Sequence, residues 1–280
     1  MADGSGTLYV VATPIGNLGD MTERAITTLR SVAAVAAEDT RVTRRLWTRF
    51  DIRTPMLSFH ARSDERRLAE LLDRLRGGED LALVSDAGTP LVSDPGFDLV
   101  AAARRARIAV VAIPGACAAI AALSVAGLPS DRFVFEGFLP AKTAARSERL
   151  EQLAREQRTL IFYEAPHRLA DVLRDMTRIL GAERNASISR ELTKRFETTY
   201  SGTLAQLSEA AALDSDMSRG ELVIVVSGAP AASTALELDS DALLRALLQE
   251  LSPSQAAKVA AHVTGGKRSD LYEAALRLSK

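Results

Sequence analysis

A single cysteine, Cys117, in 280 residues excludes an internal disulfide. It sits in an apolar, alanine-rich run, which suits a reducing compartment better than a secreted scaffold. No stretch of about 18 uninterrupted apolar residues occurs, so no membrane-spanning helix is expected. The opening residues, MADGSGTLYVVAT, lack a basic segment followed by a long apolar core, so no secretory signal is expected either, and the reading is cytoplasmic. An excess of charge of one sign is also missing: 35 basic against 36 acidic residues leave a net charge of −1. Nucleic-acid binders often carry a global basic excess, so any attraction for RNA must be local here. The arginines do cluster, at Arg44, Arg45 and Arg49, at Arg62, Arg66 and Arg67, and at Arg104, Arg105 and Arg107. Such runs are equally compatible with solvated helix faces. Zinc-type Cys/His spacing, a Ser/His/Asp pattern and a GxxxxGK[ST] loop are all lacking, which weighs against metalloenzyme, hydrolase and P-loop readings.

What the chain does contain is a regular alternation. Apolar runs at 8–13, 33–38, 55–60, 80–85 and 108–113 read as strands, separated by amphipathic helix patterns. This predicts an α/β domain with a mainly parallel, covered sheet over residues 1–128. Asp20 and Glu23 look like a capping box for the first helix. The run from Ala116 reads as a buried helix closed by Gly127. A second α/β series, over residues 129–230, has strand-like runs at 133–140, 159–166, 186–192, 196–203 and 221–228. The closely spaced third and fourth runs suggest a hairpin and hence a mixed sheet. Residues 229–235 have linker composition, and residues 236–280 read as a small helical tail. Within the tail, Ser252, Pro253 and Gln255 make a good helix start, and Ser269 is placed to cap the last helix.

Three loops follow strand ends of the first domain, where open α/β sheets bind ligands. The first runs from Thr13 to Asp20 and has glycines at 16 and 19, but it is not a GxGxxG fingerprint. Alone it is compatible with an ordinary tight turn. The second is the unusual one: Ser85–Asp86–Ala87–Gly88–Thr89–Pro90 followed by Ser93–Asp94–Pro95–Gly96. Two Asp, two Gly, two Pro and several hydroxyls straight after an apolar strand give few apolar contacts, so a ligand role outweighs a structural one. The third, Pro114–Gly115–Ala116–Cys117–Ala118, leaves room for a flat ring or for close helix packing, and both readings stay open. In the second domain Tyr163–Glu164–Ala165–Pro166–His167–Arg168 and Arg190–Glu191–Leu192–Thr193–Lys194 place functional side chains at strand ends.

In order and spacing, eight segments resemble the tetrapyrrole methylase superfamily, and within it the small-subunit ribosomal RNA methyltransferases of type I. They are LYVVATPIGNLGD, AEDTRVT, LVSDAGTPLVSDPG, IPGACA, GLPSDRFVFEGFLP, FYEAPHR, SRELTK and GELVIVV, spread nearly end to end. Family members often have Pro and Ser where this chain has Ala116 and Cys117.

The resemblance implies two α/β domains of the tetrapyrrole methylase type with S-adenosyl-L-methionine in the cleft between them, a small C-terminal helical tail, and usually a homodimer. By position it assigns Pro14, Gly16, Asp86, Gly88, Thr89, Pro114, Gly115, Ala116 and Ala118 to the cofactor site, with Glu164, His167, Arg168 and Gly220 closing it from the second domain. The implied reaction is 2′-O-methylation of a cytidine ribose in the decoding region of 16S ribosomal RNA, on the small ribosomal subunit, without metal. Its physical requirement is an acceptor oxygen aligned with the C–S bond and a group to help remove the proton. Lys194 and Glu191 are the leading catalytic candidates, with Asp39 and Glu164 behind them. The alternatives are methylation of a corrin or porphyrin precursor and a non-enzymatic RNA-binding module. The tail and the arginines argue against the first, and the intact loops at 13–20 and 85–96 against the second.

Overall fold

The short apolar runs of the first half pair side by side in the computed structural model. β1 (Thr7–Val11), β2 (Ala34–Ala37), β3 (Met56–Ser58), β4 (Leu81–Val84) and β5 (Ala109–Ile113) form a five-stranded sheet in the order β3-β2-β4-β1-β5, parallel throughout. The structure describes residues 4–60, 65–214, 216–230 and 240–279. Arg62, residues 231–235 of the expected linker, Asp239 and Lys280 therefore lie outside the described residues.

β2 and β4 are buried along their whole length because both faces of the sheet are covered. Along β4, Ala82 and Val84 meet α1 (Glu23–Ser31) and α2 (Thr40–Arg49) through Leu29, Leu46 and Trp47. Leu81 and Leu83 face the opposite way, onto Leu71 and Leu75 of α3 (Glu65–Arg76) and Leu99 of α4 (Phe97–Arg105). Because every strand runs the same way, the loops that follow them gather at one end of the sheet, where the ligand loops were expected.

The second half builds a mixed sheet. β6 (Phe133–Phe138), β7 (Thr159–Glu164), β8 (Asn185–Arg190), β9 (Thr198–Thr203) and β10 (Leu222–Val226) lie in the order β6-β7-β10-β8-β9. Only β6 and β7 are parallel, and β8 with β9 is the expected hairpin. One face is covered by α6 (Thr143–Leu153), α7 (Leu169–Leu180) and α8 (Leu204–Leu213) around Phe162, Leu150, Leu173 and Ile224. The other face carries α5 (Ala118–Val125), whose Ala119, Ala122 and Leu123 pack on Ile161, Val223 and Val225. The last helix of the first half is thus seated on the sheet of the second, and residues Met1–Gly228 form one compact unit.

Three local expectations are corrected. Asp20 and Glu23 make no capping box: Leu18–Asp20 is a short 3-10 turn, and α1 is capped by Thr22, whose hydroxyl accepts from the Ala25 N–H at 3.1 Å. The glycine at 19 and the Asn17 side chain divert the chain before the helix begins, since Asn17 accepts from the Gly19 N–H. The helix from Ala118 is not wholly buried, because Ile120 and Val125 are half exposed, although Gly127 does take the left-handed conformation that ends it. In the tail, Ser269 does not cap: α11 starts one residue earlier, after Lys267, and the Ser269 hydroxyl bonds Asp270 instead.

Residues Ala229–Lys280 form a second compact unit of their own. There α9 (Ser240–Leu247), α10 (Pro253–Thr264) and α11 (Arg268–Leu278) close around Leu244, Ala256, Ala260, Leu271 and Ala275. The start of α10 is as expected, with Ser252 as N-cap, Pro253 at the first helical position, and Gln255 accepting from the Ser252 N–H. No described helix is long and apolar enough to cross a membrane.

The seat of α5 is tight enough to test. Ala122 is fully buried against the second sheet, so Ala122→Leu should destabilise the unit by about 1–3 kcal/mol through overpacking. Chemical denaturation of the two proteins side by side measures this, and equal stability would show that the contact has slack.

Candidate functional site

Backbone and side-chain hydrogen bonds tie the three ligand loops together. Thr13 and Gly88 exchange both backbone bonds, at 2.8 and 3.1 Å, joining the loop after β1 to the loop after β4. The Thr89 hydroxyl donates to the Ala116 carbonyl at 3.0 Å, joining the loop after β4 to the loop after β5. Asp86 accepts from the Asp39 N–H at 2.9 Å, and Asp39 in turn is the N-cap of α2. From the other half, Gly137 sits at a bulge in β6 with φ +66, and a Cβ there would stand 2.9 Å from the Ser93 hydroxyl. Only a glycine lets β6 approach the second loop so closely.

Between the two halves lies a cavity of about 440 Å³, a volume typical of small-ligand sites. Asp86, Gly88, Thr89 and Asp94 line it from the second loop, Ile15 from the first, and Cys117 and Ala118 from the start of α5. The second half supplies Phe138, Tyr163, Glu164, Leu192 and the segment Gly220–Val223. Tyr163 accepts from the Ala119 N–H at 3.1 Å and stacks edge-on against both Phe135 and Phe138, with centroids 4.9 and 5.7 Å away. Burial, with the neighbouring Cys117, pushes its hydroxyl well above the usual tyrosine range, so it stays neutral.

Glu164 is the most unusual group in the cavity wall. It is 3% exposed, its Oε1 accepts from the Ala165 N–H at 2.8 Å, and Arg168 stands 3.3 Å from the same oxygen. Its Oε2 is buried with no hydrogen-bond partner. Burial pushes the carboxyl up; the Ala165 N–H and then Arg168 oppose it without cancelling it. The Glu164 side chain has no accessible surface, so its unpaired oxygen is a costly arrangement on the Arg146 and Arg168 side of β7 and is not open to the cavity. On the other side of the cavity, burial followed by repulsion from Asp86 pushes the Asp94 carboxyl up, partly offset by the Ser85 hydroxyl. Glu38, at the end of β2, is pushed up by burial and then by Asp86 and Asp94.

Strain concentrates here as well. Six described non-glycine residues have positive φ, and four of them, Leu91, Ser93, Glu191 and Thr193, belong to the two loops that supply Asp94 and Leu192 to the cavity. Each such conformation costs roughly 1–2 kcal/mol, a pattern found where structure is held for use.

The sequence-derived candidates separate into two groups. Asp86, Gly88, Thr89, Ala118, Glu164 and Gly220 line the cavity. Pro14, Gly16, Pro114, Gly115, Ala116, His167 and Arg168 do not: Pro14 is buried, His167 is exposed, and Gly115 packs on Ala12. Arg168 braces Glu164 from behind while donating to the Leu139 and Pro140 carbonyls at 2.8 and 3.0 Å. Lys194 and Glu191 also lie outside the lining. Lys194 lays its stem across Gly16 and pairs with Glu191 at 2.8 Å and Glu221 at 3.2 Å. Burial draws its ammonium down, but the bonds to Glu191 and Glu221 more than reverse this, so it stays protonated. Glu191 in turn accepts from the Glu221 N–H at 3.0 Å, and its Lys194 partner holds its carboxyl below the usual range. The pair therefore fixes the Gly220–Glu221 wall. Sequence reasoning missed Phe138, Leu192, Leu222 and Val223, which read as ordinary strand and loop residues. It quoted Asp94 within its motif without singling it out.

Gly220 is where this wall is most sensitive. Its φ is +76, and a Cβ would stand within bonding range of the Glu191 carboxylate. Gly220→Ala should therefore cost about 1–2 kcal/mol from backbone conformation alone, plus the displaced Lys194–Glu191 pair. Denaturation midpoints read the loss, and an unchanged midpoint would mean that the wall relaxes freely.

Comparison with known proteins adds identity to this geometry. The profile of the Tetrapyrrole (Corrin/Porphyrin) Methylases matches residues 7–208, and that of the RsmI C-terminal HTH domain matches residues 234–279. The chain is 53% identical over 275 residues to the ribosomal RNA small subunit methyltransferase I of Pseudomonas aeruginosa, covering 98% of each chain. To the protein of the same name from Xylella fastidiosa strain Temecula1 it is 55% identical over 268 residues, 95% of this chain and 98% of that one. Among solved structures, a uroporphyrin-III C-methyl transferase from Thermus thermophilus in complex with S-adenyl homocysteine superposes with a TM-score of 0.53. At 17% identity over 79% of this chain and 97% of that one, it shares the fold. With more than half of its residues shared across nearly the full length of such relatives, the chain belongs to the ribosomal RNA small subunit methyltransferase I family, within the tetrapyrrole methylases.

Proposed function

We propose that the protein uses S-adenosyl-L-methionine to methylate the 2′-oxygen of a cytidine ribose in the decoding region of 16S ribosomal RNA, presented on the small ribosomal subunit. The observation that carries the reading is a cavity of small-ligand size, walled by Asp86 and Asp94 from one half and by Phe138 and Tyr163 from the other, in a chain of this family. Names of the relatives favour RNA over a tetrapyrrole as acceptor. The residues present fit the cofactor. The Gly88 backbone is bare at the wall, Phe138 and Tyr163 offer an aromatic side for a flat ring, and Asp86 and Asp94 suit a cation. When bound, the cofactor supplies an electrophilic methyl on a positively charged sulfur.

The chain's own groups have three tasks. Asp86, Gly88, Thr89, Ala118 and Gly220 would hold the ligand, with Pro14, Gly16, Pro114, Gly115, Ala116, His167 and Arg168 supporting or flanking those walls. Glu164, wholly buried here and so required to turn toward the cavity when substrate binds, would take the proton that the ribose hydroxyl loses as its oxygen gains the methyl. A carboxyl raised by burial is better matched to that task than an ordinary one. Lys194, protonated and paired with two carboxylates, is assigned to positioning rather than to the proton. Together with Glu191 it is a positioning pair that holds the 220–221 wall. The RNA would meet the arginine face of α2, where Arg44 and Arg45 are exposed and Leu46 and Trp47 turn inward. The exposed Lys258, Lys267, Arg268 and Arg277 of the tail would form a second basic surface. The homodimer belongs to the same proposal, with the exposed apolar Val111, Ile120 and Val125 as surface for a second copy to cover.

Transfer of labelled methyl groups to small subunits from cells lacking this modification tests the whole reading, and no transfer by folded protein would overturn it. Glu164→Gln should lower turnover by about 10²–10⁴-fold. In the parent enzyme, activity should fall as pH drops through the raised Glu164 value, because only the ionised form accepts a proton. That acid limb should lie above the ordinary carboxylate range and be absent from the residual activity of the variant. An unchanged pH profile would assign the proton elsewhere. Replacing Arg44 and Arg45 by Ala should weaken subunit binding and reduce the dependence of log K on log salt by about 1–2. An identical slope would remove α2 from the RNA surface.

A further inference from the structure

The cavity wall is unevenly charged. Asp86 and Asp94 line it from the second loop and Glu164 and Glu221 from the other half. Two of these four are offset nearby: Glu164 by Arg168 and Glu221 by Lys194. Neither Asp86 nor Asp94 forms an ion pair among the described residues. Arg41 acts on Asp86 electrostatically, but it is exposed and already paired with Asp39 at 2.6 Å. Asp94 lies in the strained 91–96 turn, between the positive-φ residues Ser93 and Gly96. Burial, and then repulsion from Asp86, push the Asp94 carboxyl up, the mark of two carboxylates sharing one poorly screened space. Uncompensated carboxylates in a partly closed cavity, where water screens poorly, give it a standing preference for positive ligands.

The two cofactor forms differ in that property. S-adenosyl-L-methionine carries its sulfonium charge in addition to its amino-acid zwitterion. Transfer breaks the C–S bond, forms the C–O bond and releases the hydroxyl proton, leaving S-adenosylhomocysteine with a neutral thioether. We propose that Asp94, with Asp86 beside it, is a charge-selective element that holds the cationic cofactor in preference to its neutral product and so favours product departure. This rests on the proposed cofactor. It concerns binding rather than proton transfer, and it gives Asp94 a role separate from that of Glu164.

Calorimetry on the full chain, at fixed pH and low salt, with S-adenosyl-L-methionine and with S-adenosylhomocysteine, tests it. Asp94→Asn removes the charge and keeps the shape. It should weaken cofactor binding about five- to tenfold, a modest loss for one nearby charge at partial screening, and change product binding less than twofold. Asp94→Glu, which restores the charge, should keep most of the preference, so a general folding defect is distinguished from a lost charge. Equal weakening of both ligands by Asp94→Asn, or no change in either, overturns the inference and leaves the methyltransferase reading standing. Failure of the folded wild-type chain to bind either ligand overturns both.

Discussion

The seating of α5 on the second sheet is the contact on which the site depends. This helix follows the parallel sheet in sequence but buries its alanines and Leu123 against β7 and β10. Small side chains allow that approach, and hydrophobic burial holds it. Its first turn carries Cys117 and Ala118 into the cavity, and its Ala119 N–H is held by Tyr163 from the opposite half. The floor of the cavity and the joint between the halves are therefore the same structure. A change that loosened one would widen the other.

Around this joint the chain accepts local cost. Positive-φ residues at 91, 93, 191 and 193 and a buried, half-satisfied glutamate would be poor choices for stability alone. Hydrogen bonds compensate: the Thr13–Gly88 exchange, the Thr89–Ala116 bond, and the Glu191–Glu221 pairing that anchors one wall. The site is rigid because each loop is held by another loop rather than by its own helix or strand.

Much of this was legible in the sequence. Every strand was: the covered central ones as near-continuous apolar runs such as Leu81–Val84 and Leu222–Val226, and the polar edge strand β9 by its close spacing to β8. The loops beside the cavity stood out by their density of Gly, Pro and Asp after such runs. What could not be read was orientation. Gly16 resembles a ligand-facing glycine, yet it is bare to make room for the Lys194 stem, a residue 178 positions away in the chain. Gly137 and Phe138 gave no signal, because the bulge that brings β6 to the second loop follows from sheet register. Helix starts failed at Asp20 and Ser269 for a local reason: the Asn17 turn onto Gly19 and the Gly265–Gly266 break moved each cap by two residues. Charge compensation was invisible as well, since Lys194 looks like a free base until its two carboxylates are seen.

The order β6-β7-β10-β8-β9 has a consequence for biosynthesis. The central strand of the second sheet is the last one made. Until residues 222–226 have been made, β7 and β8 lack the strand that pairs with both of them, and the far wall of the cavity lacks Leu222 and Val223. Open edges of this kind are prone to pair with other chains. Pairing of Leu222–Val226 with both neighbours removes the two inner edges and completes the cavity wall together.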